Sequence, residues 1–182
     1  MPLIVVFGLP GSGKSYLSNM LVKRLKFVHV NTSEIRRRFN LTKFDKRSTA
    51  IVKKELFATS ERLLNENKIP MLERVYSKKN DRQYLIKRFA KYGLILIYCK
   101  CNYSILKKRV RARVSTKKTI ETNDLKVLED YYNNWEPLDL KVEDKKKVVS
   151  YIDFNSDKNK FVSKIIQKGH EKIIDKLINK FN

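Results

Sequence analysis

Residues 3–15 read LIVVFGLPGSGKS, and this stretch decides the fold class. Its first five residues are apolar and mostly β-branched, which is typical of a short strand buried on both faces of a sheet. The chain has only five glycines, and three of them, Gly8, Gly11 and Gly13, fall within this stretch. Leucine then recurs every fourth residue from position 17 to position 25, which predicts a helix. The order is therefore strand, glycine loop, helix.

The glycine loop satisfies the pattern G-x-x-x-x-G-K-[ST] in the strand-to-helix context where that pattern binds a nucleoside triphosphate. Backbone N–H groups of such a loop surround phosphate oxygens, and the N-terminal end of the following helix adds partial positive charge. We expect Lys14 to neutralise the β- and γ-phosphates and the Ser15 hydroxyl to ligate Mg²⁺. The predicted nucleotide site comprises Gly8, Pro10, Gly11, Ser12, Gly13, Lys14 and Ser15.

Short apolar runs alternate with helical patterns along the rest of the chain. Five strands separated by helices predict an α/β fold, a P-loop NTPase with a five-stranded parallel sheet and helices on both faces. Ligands of such sheets bind beyond the carboxyl ends of the strands. We expect one domain over residues 1–182, with a small basic lid over about 113–121 and a final helix over about 158–181.

The chain is strongly basic. Its 182 residues include 41 Lys and Arg against 19 Asp and Glu, a formal net charge of +22. This surplus favours a polyanionic partner such as nucleic acid, although a lysine-rich coding bias is an alternative source of it. No apolar run reaches the ~18 residues of a membrane span, and no leader-peptide pattern precedes the glycine loop, so we expect a cytoplasmic protein. Cys99 and Cys101 are expected to be reduced thiols.

Several segments together resemble a family of small P-loop kinases. The family includes phage-type polynucleotide 5′-hydroxyl kinase, zeta-toxin-like kinases and related AAA-type metabolite kinases. Beside the glycine loop, residues 30–36 (VNTSEIR) are similar to the segment with its Asp-x-x-Arg signature, residues 70–73 (PMLE) to its third strand, and residues 98–113 to its fourth strand and the helix before its lid. The resemblance implies ATP and Mg²⁺ as cofactors and transfer of the γ-phosphoryl group to an acceptor hydroxyl.

The resemblance also implies roles for the residues after the second strand. In the family, the Asp of the signature is the general base and the Arg positions the acceptor. Direct register puts Ser33 and Arg36 at these positions, whereas Glu34 and Arg37 keep an acid-x-x-Arg spacing one residue later. Because a serine is a poor proton acceptor, Glu34 is the carboxylate expected to serve the acceptor. Its alternative role is to complement the dipole of a helix.

The third strand and the fifth helix supply the remaining candidates. Glu73 stands where the family usually has Asp, which implies Mg²⁺ binding through water or contact with the acceptor; otherwise it pairs with Arg74 or Arg82. Arg109 and Arg113 share one helix face and could converge on one phosphate, as lid arginines do in the family, or form a solvated basic face. The catalytic candidates are thus Lys14, Glu34, Arg109 and Arg113, and the acceptor-binding candidates are Ser33, Arg36, Arg37 and Glu73.

Weaker patterns indicate structure more than chemistry. Lys117 and Lys118 suit a lid that closes over the nucleotide. Lysine recurs every fourth residue from Lys160 to Lys180, which favours an amphipathic final helix. His29 and His170 fit no ligand pattern, and Trp135 is expected to pack or to flank the lid.

Three functions remain open at this level. The first is a kinase of polynucleotide 5′-hydroxyl ends or nucleotide-like acceptors, which the charge favours. The second is a kinase of a small metabolite or nucleoside. The third is a nucleic-acid-binding ATPase without kinase activity, in which Ser33 marks the loss of acceptor chemistry.

Overall fold

The computed structural model describes residues 1–43, 45–115, 125–144 and 147–179. The elements along the chain are β1 (Leu3–Phe7), α1 (Lys14–Leu25), β2 (Val28–Val30), α2 (Thr32–Arg38), α3 (Lys46–Asn65), β3 (Pro70–Arg74), α4 (Lys79–Phe89), β4 (Leu94–Lys100), α5 (Tyr103–Ser115), α6 (Leu125–Asn133), α7 (Leu140–Glu143), β5 (Val149–Asn155), β6 (Lys160–Ile165) and α8 (Glu171–Asn179).

The strands form one sheet in the order β2-β3-β1-β4-β5-β6. The pairs among β1 to β5 are all parallel, as the alternation of strands and helices predicts. β6 is an additional strand, antiparallel to β5 at the edge of the sheet. β1 lies in the interior of the sheet, between β3 and β4, and all five of its residues are buried. Its carboxyl end therefore opens directly into the glycine loop with neighbouring strands on both sides.

Helices cover both faces of this sheet. Leu3, Val5 and Phe7 of β1 point to one face, where they share an apolar core with buried residues of α3 and α4. Ile4 and Val6 point to the opposite face, toward α1 and α8. Each such fully buried aliphatic or aromatic side chain contributes about 1.5–3 kcal/mol. The two apolar layers hold the sheet between the helices, and so they position the strand ends that carry the candidate site.

The expected helix over about 158–181 is wrong in its first half. Residues 160–165 form β6, and α8 covers only Glu171–Asn179. A spacing of four residues repeats on one face of a helix and also on one face of a strand, so the lysine series does not distinguish the two. The polar residues 156–159 form the turn between β5 and β6, and Gly169, at φ 90°, separates β6 from α8.

The predicted lid falls largely outside the described residues. Arg113 to Ser115 belong to α5, whereas Lys117 and Lys118 lie outside the described part of the chain. Trp135 follows α6 and stacks on Tyr98, with ring centroids 5.3 Å apart, and on Phe7, at 6.3 Å. Trp135 therefore packs against the end of β1, next to the glycine loop. Within the described ranges, no helix combines the length and apolar character needed to cross a bilayer.

A buried ion pair connects α4 to α7. Arg82 is 1% exposed, and its Nε and NH2 atoms each donate to one carboxylate oxygen of Glu143 at 2.8 Å. NH1 donates to the carbonyls of Tyr76 and Ser77, and NH2 also to that of Pro137. Arg82 therefore does not pair with Glu73, which was one of the alternatives for that carboxylate.

Candidate functional site

The glycine loop makes a tight turn at the carboxyl end of β1. Gly8 has φ 146°, and a Cβ atom there would lie 2.7 Å from the carbonyl oxygen of Cys99 and 2.8 Å from the hydroxyl oxygen of Ser12. Gly13 has φ 87° and is the N-cap of α1. Both positions are in the left-handed region that favours glycine, so the local geometry requires the residues that define the motif.

Lys14 and Ser15 occupy the first turn of α1. The Lys14 ammonium group donates to the carbonyl of Leu9 at 2.9 Å, so the side chain folds back over the loop. The Ser15 hydroxyl donates to one oxygen of Glu73 at 2.7 Å. A cation, a hydroxyl and the N-terminal end of a helix thus lie together at the place where the motif binds phosphate and Mg²⁺.

Glu73 lies near the carboxyl end of β3, opposite Val6 of β1 in the parallel register. Its Oε1 accepts from Ser15, and its Oε2 lies 3.5 Å from Nε2 of His29. Neither Oε2 nor that nitrogen has a hydrogen-bond partner, although both are buried. Burial raises the pKa of Glu73, but the His29 and Ser15 side chains and the charge of Lys14 oppose it and lower the pKa below its ordinary value. Glu73 is therefore an ionised carboxylate with one oxygen still available.

The segment after β2 begins with the N-cap of α2. The cap is Asn31, because its side-chain oxygen accepts from the backbone N–H of Ser33 at 2.8 Å and of Glu34 at 3.4 Å. Ser33 is half-buried, and Glu34 is exposed in the first turn. Glu34 thus stands at the helix N-terminus, which suits both of its alternative roles.

The two arginines of the signature segment lie in different surroundings. Arg36 is 8% exposed, and its NH1 donates to the carbonyl of Lys43 at 3.1 Å, so it holds the connection between α2 and α3. Arg37 is exposed. Of these two arginines, Arg37 is the one whose side chain a large acceptor can approach.

Arg109 and Arg113 also differ. NH1 of Arg109 donates to the Gly11 carbonyl at 3.3 Å and to the Ser156 hydroxyl at 3.0 Å, and NH2 donates to the Ser156 carbonyl at 3.3 Å. Arg109 therefore connects the glycine loop to the turn after β5. Arg113 lies one turn further along α5 and is exposed.

Sequence patterns missed two contributors to this site. His29 faces Glu73 only because the parallel pairing of β2 with β3 places His29 beside Met71, two residues before the carboxylate. Ser156 meets Arg109 from a position 47 residues away along the chain. No local spacing signals either contact, since both arise from strand register and chain topology.

The residues present fit ATP and Mg²⁺. Among the described residues, five buried side-chain polar atoms have no hydrogen-bond partner, and those of Ser12, His29 and Glu73 belong to the glycine loop or to the strands beside it. The Ser15 hydroxyl and the Glu73 carboxylate are oxygen ligands of the kind Mg²⁺ prefers. The described residues contain no cluster of three or more His, Cys, Asp or Glu side chains that could hold a metal. An Mg²⁺ ion here would therefore depend on nucleotide phosphates and water for its remaining ligands.

Residues 3–138 match the AAA_33 family, which is described as an AAA domain. The chain belongs to this family. The match includes the glycine loop, Glu73 and Arg109, whereas Ser156 lies beyond it. Curated protein sequences give no match to the chain.

Solved structures share the fold of this AAA_33 protein. A candidate kinase from Chloroflexus aurantiacus is 19% identical with a TM-score of 0.66, covering 96% of this chain and 95% of that one. A gluconokinase from Sinorhizobium meliloti is 14% identical with a TM-score of 0.53, covering 99% and 91%. A chain of the Pnkp1/Rnl/Hen1 RNA repair complex is 18% identical with a TM-score of 0.64; the match covers 80% of this chain and 45% of that longer one. The fold is thus that of P-loop kinases.

Proposed function

We propose that this AAA_33 protein is an ATP- and Mg²⁺-dependent kinase that phosphorylates the 5′-hydroxyl end of a polynucleotide or a nucleotide-like acceptor. The observation that carries the proposal is the 2.7 Å hydrogen bond from Ser15 to Glu73, which joins the nucleotide motif of β1 to an ionised carboxylate at the end of β3. A phosphate site and a metal-binding carboxylate on neighbouring strands are what phosphoryl transfer requires.

In the proposed reaction, the acceptor oxygen attacks the γ-phosphorus, the bond from that phosphorus to the β,γ-bridging oxygen breaks, and ADP leaves. Mg²⁺, when bound, neutralises charge on the β- and γ-phosphates. In this proposal Lys14 supplies a positive charge beside the same phosphates, and Arg113, which is exposed on α5, serves as the lid arginine. Glu34 accepts the proton of the acceptor hydroxyl. Phosphoryl transfer depends mostly on positioning, so a weak base close to the hydroxyl suffices.

The choice of acceptor rests on charge. The net charge of +22 exceeds what a phosphate site alone needs, and Arg37 is exposed on α2 beside Glu34. Cationic surfaces concentrate polynucleotides and steer them to a site. The RNA repair complex among the similar structures contains a chain with this fold, which is compatible with such an acceptor.

Incubation with γ-labelled ATP, Mg²⁺ and 5′-hydroxyl RNA or DNA oligonucleotides tests the proposal. We expect labelled oligonucleotides, and a loss of labelling by about 10²- to 10³-fold in Lys14→Ala, comparable to the removal of one transition-state contact elsewhere. Labelling no higher than in Lys14→Ala would refute the polynucleotide acceptor. Label transferred to a sugar or nucleoside instead would identify a small-molecule kinase, and release of phosphate stimulated by RNA without a labelled product would identify an ATPase.

A further inference from the structure

A groove lies where α2 turns into α3. It has a volume of about 400 Å³ and is lined by residues between 39 and 51, among them Phe39, Leu41, Lys43, Arg47 and Ile51. We call it the α2–α3 groove. None of these residues belongs to the nucleotide motif or to the catalytic candidates, so the proposed reaction does not account for the groove.

The walls of the groove are held by the chain itself. The buried Arg36 side chain donates to the Lys43 carbonyl at 3.1 Å, and the Arg36 carbonyl accepts from the N–H of Leu41 at 2.9 Å. Asp45 caps α3 by accepting from the N–H of Ser48 at 2.7 Å. These contacts hold Leu41 and Lys43 against the end of α2, and Asp45 against the start of α3.

The lining combines an aromatic ring with positive charge. The Phe39 side chain is 43% exposed, and the Arg38 guanidinium lies 5.0 Å from its ring centroid. Arg38 is in turn paired with Glu55, which holds the guanidinium beside the ring. Lys43 and Arg47 are exposed along the groove. An aromatic face next to cations is the surface that single-stranded nucleic acids prefer, because bases stack on the ring and phosphates meet the cations.

The groove lining holds one acid beside its two exposed cations. Asp45 is that acid, and its carboxylate caps the start of α3. Hydrogen bonds from Ser48 and the nearby charges of Lys43 and Arg47 lower the pKa of Asp45, so one negative charge faces two positive ones and the lining keeps a net positive charge.

The length of α2 separates the groove from the carboxyl end of β2, where the acceptor-binding candidates begin. α2 begins directly after Asn31, at the carboxyl end of β2, and has seven residues, which makes it about 10 Å long. A stacked single strand rises by about 3.4 Å per nucleotide. A nucleic-acid strand whose 5′ nucleotide lies beside the first turn of α2 would therefore bring about its fourth nucleotide to the groove, three rises of about 3.4 Å away.

We propose that the α2–α3 groove binds the nucleotides that follow the 5′ end of a single-stranded acceptor, with a base on Phe39 and a phosphate at Arg47. This inference rests on the proposed function and narrows its acceptor to a nucleic-acid strand of about four or more nucleotides. It distinguishes an oligonucleotide from a mononucleotide. A mononucleotide would lie at the carboxyl ends of the β-strands and leave the groove empty.

The experiment compares the wild type with Phe39→Ala, Arg47→Ala and, as a matched control, Lys54→Ala, which removes an exposed cation from α3 outside the groove. Fluorescence anisotropy with a labelled 5′-hydroxyl ten-nucleotide RNA measures binding without ATP. The ratio kcat/KM is then measured for acceptors of one, two, four and eight nucleotides. Thermal melts check that each variant is folded, which we expect because both groove side chains are exposed.

We expect Phe39→Ala to weaken binding of the labelled RNA about tenfold, because a stacked base is lost. Arg47→Ala should lower the slope of log K against log salt by about 0.7, the value for one phosphate contact on a single strand. Lys54→Ala should change neither. In the wild type, kcat/KM should rise about tenfold or more between two and four nucleotides, and the rise should disappear in Phe39→Ala.

The two proposals fail separately. If oligonucleotides are labelled with the same kcat/KM at every length, and both groove variants bind RNA like the wild type, the groove proposal is overturned and the kinase stands. If no hydroxyl is labelled but both groove variants still weaken RNA binding, nucleic-acid binding by the groove stands and the kinase falls. If RNA binding is unaffected and nothing is labelled, both are overturned.

Discussion

Glu143 is buried and Glu73 is half-buried, and their carboxylates differ in the partners that the protein supplies. Both carboxylate oxygens of Glu143 accept from the Arg82 guanidinium at 2.8 Å. Glu73 has one oxygen bonded to Ser15, while the other faces His29 at 3.5 Å without a hydrogen bond. A buried polar atom left without a partner costs free energy that a fold normally avoids.

This difference in hydrogen bonding indicates a structural role for Glu143 and a chemical role for Glu73. A carboxylate whose partners are all supplied by the protein has no capacity left for a ligand, so Glu143 can only stabilise the connection between α4 and α7. Glu73 keeps an oxygen for a ligand next to the nucleotide motif. The following predictions test whether the two residues really divide in this way.

The largest expected effect is on stability, from Arg82→Met. The substitution leaves Glu143 buried without its cation, which typically costs about 3–5 kcal/mol. For a chain of this size, the loss corresponds to a fall in Tm of about 10 °C. Thermal or denaturant unfolding measures it. The matched control is Arg88→Met, which breaks the exposed pair with Glu61 and should cost at most about 1 kcal/mol.

A double variant sharpens this prediction. Arg82→Met combined with Glu143→Leu removes both charges, so it should recover the part of the lost stability that comes from the unpaired Glu143 charge, but not the part that comes from the Tyr76, Ser77 and Pro137 carbonyls, which lose their donor. If Arg82→Met is no less stable than Arg88→Met, the buried pair does not have the structural role assigned to it.

Glu73→Gln should show the opposite pattern, a loss of activity in a folded protein. The amide retains the shape of the side chain but removes the charge expected to serve Mg²⁺, so we expect kcat to fall about 10- to 100-fold. Phosphoryl-transfer rates over a range of Mg²⁺ concentrations measure the effect, and a melt shows whether Tm falls by less than in Arg82→Met. A collapse of Tm with unchanged activity per folded molecule would make Glu73 a structural residue like Glu143.

A smaller effect is expected on the pH dependence of stability, which the Glu73 carboxylate should change. The pKa of Glu73 in the folded protein is lower than its ordinary value of 4.5, so the ionised form stabilises the fold above that pH. This contribution is lost as the pH falls through the lowered pKa. The free energy of unfolding of the wild type relative to Glu73→Gln should be constant from pH 7 to about 5 and should decrease below 4.5. A difference that grows on acidification would reverse the assigned shift.

The smallest expected effect is on nucleotide affinity, from a substitution of Arg109, which contacts the glycine loop. Arg109→Ala removes the hydrogen bonds that connect Gly11 to Ser156, so the loop loses one support. We expect nucleotide affinity, measured by calorimetry, to fall about tenfold, the equivalent of roughly 1.4 kcal/mol for such contacts. Arg111→Ala on the same helix is exposed and serves as the control. Equal affinities in the two variants would show that Arg109 does not support the nucleotide site.

The elements that could be predicted are those whose conformation depends on neighbouring residues in the sequence. β1, the glycine loop and α1 follow from residues 3–25, whose conformations are set by β-branching, glycine and helical periodicity. The final helix could not be delimited, because four-residue spacing suits a strand as well as a helix. The antiparallel β6 was therefore missed, and with it the turn that carries Ser156.

The candidate site was predictable in its residue types but less so in its contacts. Glu73 could be placed at a strand end from its apolar neighbours, whereas its partners Ser15 and His29 are 58 and 44 residues away along the chain and meet it through strand pairing. Arg36 shows the reverse case. Its position in a family-like signature suggested acceptor binding, but in the structure it holds the loop that shapes the α2–α3 groove.

The stacking of Trp135 on Phe7 and Tyr98 has a practical consequence. Trp135 is the chain's single tryptophan, and Phe7 is bonded directly to Gly8, the first residue of the glycine loop. A movement of the loop that shifts Phe7 would therefore change the surroundings of this one indole. The protein carries its own optical probe at this position, and its intrinsic fluorescence can follow occupancy of the loop in real time without a label.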